Sequence, residues 1–254
     1  MWDSGTRSLY VYFRLRATET KSFLLAFILI VVSLSHSAGA VQKKGEIFVK
    51  KAPFVTVLEN EKNPFQGEKY IKRMQKGEAL SWVAVEPVEG SESRKKLYML
   101  AKEHLNVYAD QAFHAIKEFE FFSEMKPYVR KKEWDSKKKE LYLHGEAFDY
   151  HAHLWMQFYY MKKTLKGQTK PQYEIHWRHT KGLFQGMTGV VVLKDVGRRT
   201  CEISMTTRFN FDKLPLPEFF VEFGLEVILQ KMAFQVRKYV HSQNASPQSP
   251  ARSQ

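Results

Sequence analysis

Cysteine is nearly absent. The 254 residues hold one, Cys201, so no intramolecular disulfide can form and a cysteine-based zinc site is excluded. Cys201 falls in an alternating apolar run and reads as a small core residue; no flanking pattern would activate it as a nucleophile. Long apolar stretches are missing too. The N-terminal run, Phe23 to Leu34, has 12 residues, short of the roughly 20 that span a bilayer as a helix. There is no phosphate-binding glycine loop, no dinucleotide fingerprint and no G-x-S-x-G elbow. Internal repeats are also absent. Acidic residues are outnumbered, 27 against 40 Lys and Arg, which leaves a net charge of +13. That balance favours anionic surfaces without choosing among them.

Apolar residues make up 44% of the chain and aromatics 14%, enough to build a real core. The start reads as an export signal. Arg14, Arg16 and Lys21 precede the apolar run, and Ala38-Gly39-Ala40 ends a small-residue stretch suited to cleavage after Ala40. A periplasmic or secreted protein is expected, with an uncleaved membrane anchor as the alternative. Removing residues 1–40 takes away four basic and two acidic side chains, so the remainder stays basic. Export argues against nucleic acid as the partner of that charge.

Residues 41–95 are weakly patterned and are read as an N-terminal extension. Ile47-Phe48-Val49, Phe54 to Leu58 and Ser81 to Val85 are strand candidates, and the stretch around Lys72, Arg73 and Lys76 is a helix candidate. The signals sharpen from Lys96. An extended run from Leu97 to Val107 leads to Asp110, a candidate cap for a helix bearing Ala112, Phe113, Ile116 and Phe119 to Phe121. A second short helix is expected over Phe121 to Met125, stopped by Pro127. Strands follow at Val129–Trp134, Glu140–Phe148, Leu154–Lys163, Gln172–His179, Gln185–Val196 and Arg199–Phe211. The short turns between them favour antiparallel pairing. Pro215 and Pro217 then open a helix of about 25 residues from near Glu218. Its apolar residues recur at three- and four-residue steps, and residues 244–254 form a polar tail.

Three segments carry a resemblance: Leu105 to Phe113, Phe119 to Pro127, and Leu214-Pro215-Leu216-Pro217 ahead of the long helix. Their order resembles the START-related polyketide-cyclase/lipid-transport superfamily, most of all its coenzyme-Q-binding group, over about Leu97 to Val240. The resemblance implies an α+β helix-grip fold over 96–243, with a curved antiparallel sheet wrapped around the C-terminal helix. An apolar cavity would lie between them. The extension departs from that pattern.

Alternation along the strands selects candidate ligand contacts. These are Tyr173, Ile175 and Trp177 on one strand, Met187 and Val191 on the next, and Met205 and Phe209 on the last. Phe220, Phe223 and Met232 would join them from the helix. Such stripes also build ordinary cores. Glu202, Ser204, Arg208 and Asn210 read as the polar face. Two polar clusters stand out: His144 with Asp149, His151 and His153, and His176 with Arg178 and His179. Along one strand, alternate residues lie about 6.6–7 Å apart. That is long for three ligands of one ion, so the first cluster reads as a solvated face and no metal is expected. The second would serve acid–base chemistry only if it pointed into the cavity. The leading expectation is therefore a carrier of a hydrophobic small molecule or lipid, with no cofactor and no catalytic residue. The alternatives are a cyclase or hydratase acting on an apolar substrate, and an interaction module. Basic runs such as Arg130-Lys131-Lys132 and Lys137-Lys138-Lys139 suit peripheral contact with an anionic membrane.

Overall fold

The structure is a computed structural model and describes residues 48–54, 63–91, 93–125, 129–147, 150–182, 184–212 and 218–245. Its elements are helix α1 (Glu68–Gln75), strands β1 (Leu80–Pro87) and β2 (Lys95–Leu105), helix α2 (Ala109–Ile116) and a 3-10 turn (Glu120–Glu124). Six strands follow: β3 (Val129–Asp135), β4 (Glu140–Ala147), β5 (Tyr150–Lys163), β6 (Gln172–Gly182), β7 (Thr188–Gly197) and β8 (Thr200–Phe211). Helix α3 (Glu218–Ala245) closes the described chain. The strands form one curved antiparallel sheet in the order β1-β2-β8-β7-β6-β5-β4-β3. It has the helix-grip α+β architecture expected from the sequence.

Local chemistry explains the turns. Between β3 and β4 the Asp135 carboxylate accepts from the N–H groups of Lys137 and Lys138, at 2.9 and 3.0 Å. Between β5 and β6 the Gln168 N–H donates to the Leu165 carbonyl, with Gly167 at φ +84°, where a side chain would be strained. Gly182 is equally constrained. A Cβ there would lie 1.9 Å from the His153 carbonyl oxygen as β6 passes β5.

Three readings of the sequence are corrected. Ser81–Val85, assigned to the extension, lies in β1, a full member of the sheet paired from Leu80↔Lys102 to Pro87↔Lys95. Asp110 does not cap α2. Asp195 of β7 does, its carboxylate accepting from the Ala109 N–H at 2.8 Å. Tertiary structure thus supplies the cap from 86 residues away. The helix also stops at Ile116, and Phe119 turns the chain at φ 59°. Of the expected strand at 54–58, residues 55–58 lie outside the described residues, as do the expected signal (1–40) and most of the C-terminal tail.

The core lies on the helix side of the sheet. Helix α3 packs chiefly over β1 and β2, and α2 reaches β6, β7 and β8. An aromatic cluster fills the space near α2: Phe113 stacks on Tyr173 at 5.0 Å and meets Tyr160 edge-on at 5.5 Å. Phe48, from the extension, stacks on Phe113 at 5.5 Å. The Val49 N–H donates to the Tyr160 carbonyl at 2.8 Å, just past the last β4 partner of β5. Phe54 then lies on the opposite face, edge-on to Tyr159 at 5.6 Å and under the Arg178 guanidinium. The segment before the domain therefore crosses the edge of β5 from one face to the other.

The outer face was read as the polar one. At the sheet centre it is buried instead: Lys102, Glu174, His176, Glu202, Ser204 and Thr206 are all buried, alongside Leu100 and Val190. Charges there are paired. Glu174 accepts from Lys163 at 2.8 Å and Gln172 at 2.7 Å, with His176 Nε2 at 2.6 Å. Burial works to raise the Glu174 pKa, but these hydrogen bonds outweigh it and bring it down to about 2. Glu202 meets Lys194 at 2.9 Å, Lys102 at 3.5 Å and His104 at 3.6 Å.

Candidate functional site: the helix face of the central strands

Strand register assembles the candidate contacts into rows. Ala101, Met205, Val191 and Ile175 form one row across β2, β8, β7 and β6. Met99, Thr207, Gly189 and Trp177 form the next. Leu97 and Phe209 continue towards Met187 and His179, whose backbones are joined by the bond from the His179 N–H to the Met187 carbonyl.

These rows are not uniformly packed. Ile175, Trp177, Met187 and Tyr173 are buried in the core, and Tyr173 belongs to the aromatic cluster under α2. Val191, Met205 and Phe209 are only partly buried, although β7 and β8 are central strands. Ala101, Ile203 and Val85 on the same face are partly accessible too, as are Ile228 and Met232 of α3 and Phe184 beside Phe209. Helix α3 sits over the β1–β2 end and α2 over the β6–β8 end.

Phe223 does not join this set. It is 51% exposed, whereas Leu225, Leu229, Val236 and Val240 form the buried stripe of α3. The i, i+4 spacing of the phenylalanines could not fix the rotation of the helix, because apolar residues surround much of its first half. Phe220 lies in α3, with its side chain outside the described residues. Val85 and Ala101 were missed as contacts, whereas Ile203 shares the strand face read for Met205 and Phe209. The alternation of β2 was legible, but the membership of β1 in the sheet was not.

Polar groups on this face are few. Thr207 is 1% exposed and its hydroxyl has no hydrogen-bond partner among the described residues. Beside it the Trp177 indole lies over Gly189, where a Cβ would come within 2.5 Å of the ring. His179 is buried next to Trp177 and Phe184. Glu103 is buried on β2 and accepts from Arg237 of α3 at 2.5 Å. Burial pushes its pKa up to about 7, against the pull of Arg237. Glu103 lies six residues, about 20 Å, along β2 from Leu97, and His179 lies in the row of Leu97 three strands further across the sheet. Arg178 and His176 are on the outer face, as are His144, His151 and His153. Burial pushes the Cys201 thiol up, which keeps it protonated and unreactive.

No family model and no curated protein matches this chain. Among solved structures, it is similar to a START superfamily protein from Mycobacterium smegmatis, with 14% identity, a TM-score of 0.45, and coverage of 57% of this chain and 98% of that one. Human STARD10 matches with 9% identity and a TM-score of 0.45, over 73% of this chain and 84% of that chain. The Zhui aromatase/cyclase from Streptomyces sp. R1128 matches with 10% identity and a TM-score of 0.42, over 58% and 93%. The fold assignment rests on the strand order and helix placement described above.

Proposed function

We propose that the protein is an exported binding or transport module of the START-related kind that holds a hydrophobic small molecule between its sheet and α3. The observation that carries this reading is the Val191–Met205 pair. These residues face each other at the centre of an eight-stranded sheet, on the side that bears both helices, and remain partly accessible. Side chains in that position normally close-pack and are fully buried; the partial accessibility of Ala101, Val191, Ile203, Met205, Ile228 and Met232 suits an apolar guest held against them. Burying such a guest contributes about 25 cal/mol per Å² of apolar surface. The solved relatives named above include a protein titled START superfamily and an aromatase/cyclase. A lipid, an isoprenoid or a quinone would fit the lining, the quinone being suggested by the coenzyme-Q-like sequence segments. Noncovalent binding is favoured over turnover because His179 and Glu103 lie too far apart to act on one bond.

Native mass spectrometry of gently purified protein tests the proposal. A co-purified apolar molecule is expected, lost or exchanged when Val191→Phe and Met205→Phe fill the space. Protein that carries nothing and takes up no lipid or quinone would sink it. Turnover of an apolar substrate abolished by His179→Gln would favour the enzyme reading instead.

A further inference from the structure

We propose that His144 and His151 form a two-imidazole site for a divalent transition-metal ion of tetragonal preference, Cu2+ or Ni2+, on the outer face of the β4–β5 hairpin. Spacing along a single strand argued against a metal here. The hairpin changes the geometry, because side chains diagonal to one another on neighbouring strands can reach across and converge. The register sets His144 opposite His153 and Glu146 opposite His151, so His144 and His151 are diagonal neighbours. His144 Nε2 and His151 Nδ1 lie 2.9 Å apart.

That distance selects the ion. With metal–nitrogen bonds of about 2.0–2.1 Å, two nitrogens 2.9 Å apart subtend about 90° at the metal; a tetrahedral pair would need roughly 3.3 Å. A right angle between adjacent ligands is the geometry of Cu2+ and Ni2+, and Cu2+ also heads the affinity order for such ligands. Without metal, one imidazole N–H donates to the other ring's lone pair. On binding, the donor ring moves its proton to its second nitrogen, so both rings stay neutral and each presents a lone pair to the ion. The surroundings hold His144 in place. Its ring stacks on His153 at 4.5 Å and 15°, and His153 Nδ1 lies 2.7 Å from the Tyr142 hydroxyl. Lys131 is 5.9 Å from the centre of the Tyr142 ring, and Glu133 pairs with it at 2.6 Å. Among the described residues no group of three metal-binding side chains converges. Two imidazoles from one hairpin predict micromolar affinity.

The test uses the full chain without an affinity tag, titrated with Cu2+ or Ni2+ alone at pH 7.5. Calorimetry should give one equivalent bound, weakened at least about tenfold by His151→Gln and by His144→Gln. His114→Gln, an exposed histidine on α2, should leave it unchanged. The electron paramagnetic resonance spectrum of the wild-type Cu2+ complex should show coupling to two imidazole nitrogens. That measurement needs no variant to fold. Absence of binding, coupling to one nitrogen or none, or affinity that survives both substitutions would overturn the proposal. Tighter binding of Zn2+ than of Cu2+ would overturn the choice of ion.

Discussion

At the scale of single residues, buried polar groups set the largest expected effects. The Thr207 hydroxyl is enclosed between Met99 and Gly189 without a partner among the described residues. An unsatisfied buried hydroxyl costs about 1–3 kcal/mol, and valine has nearly the same shape. Thr207→Val is therefore expected to raise stability by about 1 kcal/mol, read as a higher urea midpoint at unchanged slope. Weaker ligand retention in the same variant would assign the hydroxyl to recognition of the ligand.

Glu103 predicts a pH dependence of a definite sign. Its pKa rises to about 7 in the folded protein from 4.5, so between those values the folded state binds more protons than the unfolded one. Stability then falls as pH rises through that window and levels off above it. Glu103→Gln keeps an acceptor for Arg237 and removes the titration. Its urea midpoint should change less than that of the wild type between pH 5 and pH 7.5. A steeper decline in the variant would contradict this assignment. Glu174 acts in the opposite sense: with its pKa lowered to about 2, it contributes stability above 4.5 that is lost as the solution is acidified towards 2.

At the scale of elements, α3 is held to the sheet by its acidic first half as well as its apolar stripe. The Glu222 carboxylate accepts from the Val85 N–H at 2.7 Å, and the Ser81 hydroxyl reaches Glu226 at 3.5 Å. Strand β1 is the edge of the sheet, and Val85 already faces Leu97 on its other side. Glu222 thus satisfies a backbone group that the sheet leaves open, and it blunts an edge otherwise ready to pair with another chain. Glu222→Ala is expected to cost about 1–2 kcal/mol and to speed hydrogen exchange at Val85. An unchanged exchange rate there would mean that the edge is protected by something else. Near its C-terminus the same helix is fastened by Arg237, which reaches both Glu103 and the Gly77 carbonyl.

At the scale of the whole molecule, the excess of +13 predicts association with anionic vesicles that weakens with salt. Raising ionic strength from about 0.05 to 0.3 M shortens the Debye length by more than half. Lys137, Lys138 and Lys139 lie at the exposed β3–β4 turn. At about 1 kcal/mol for each basic side chain near the surface, replacing all three with Gln should lower vesicle affinity at least tenfold. Cosedimentation with vesicles containing phosphatidylserine measures this, and binding indifferent to both salt and the substitutions would refute it.

Sequence alone determined the order of elements from β2 onward, the turns and the long terminal helix. Each is written in local periodicity and in residues such as Asp135, Gly167 and Pro217, whose preferences act over a few positions. It also determined which residues share a strand face, because alternation needs no partner. Tertiary structure decided the rest. Pairing made Ser81–Val85 an edge strand, brought Asp195 to the start of α2, buried the centre of the face that had read as polar, and left Phe223 half exposed. It also placed His144 Nε2 2.9 Å from His151 Nδ1, across two strands whose pairing no local pattern specified. The reason is common to all of these: each depends on contacts between segments far apart in the chain, and no local pattern records which distant segment will be the neighbour.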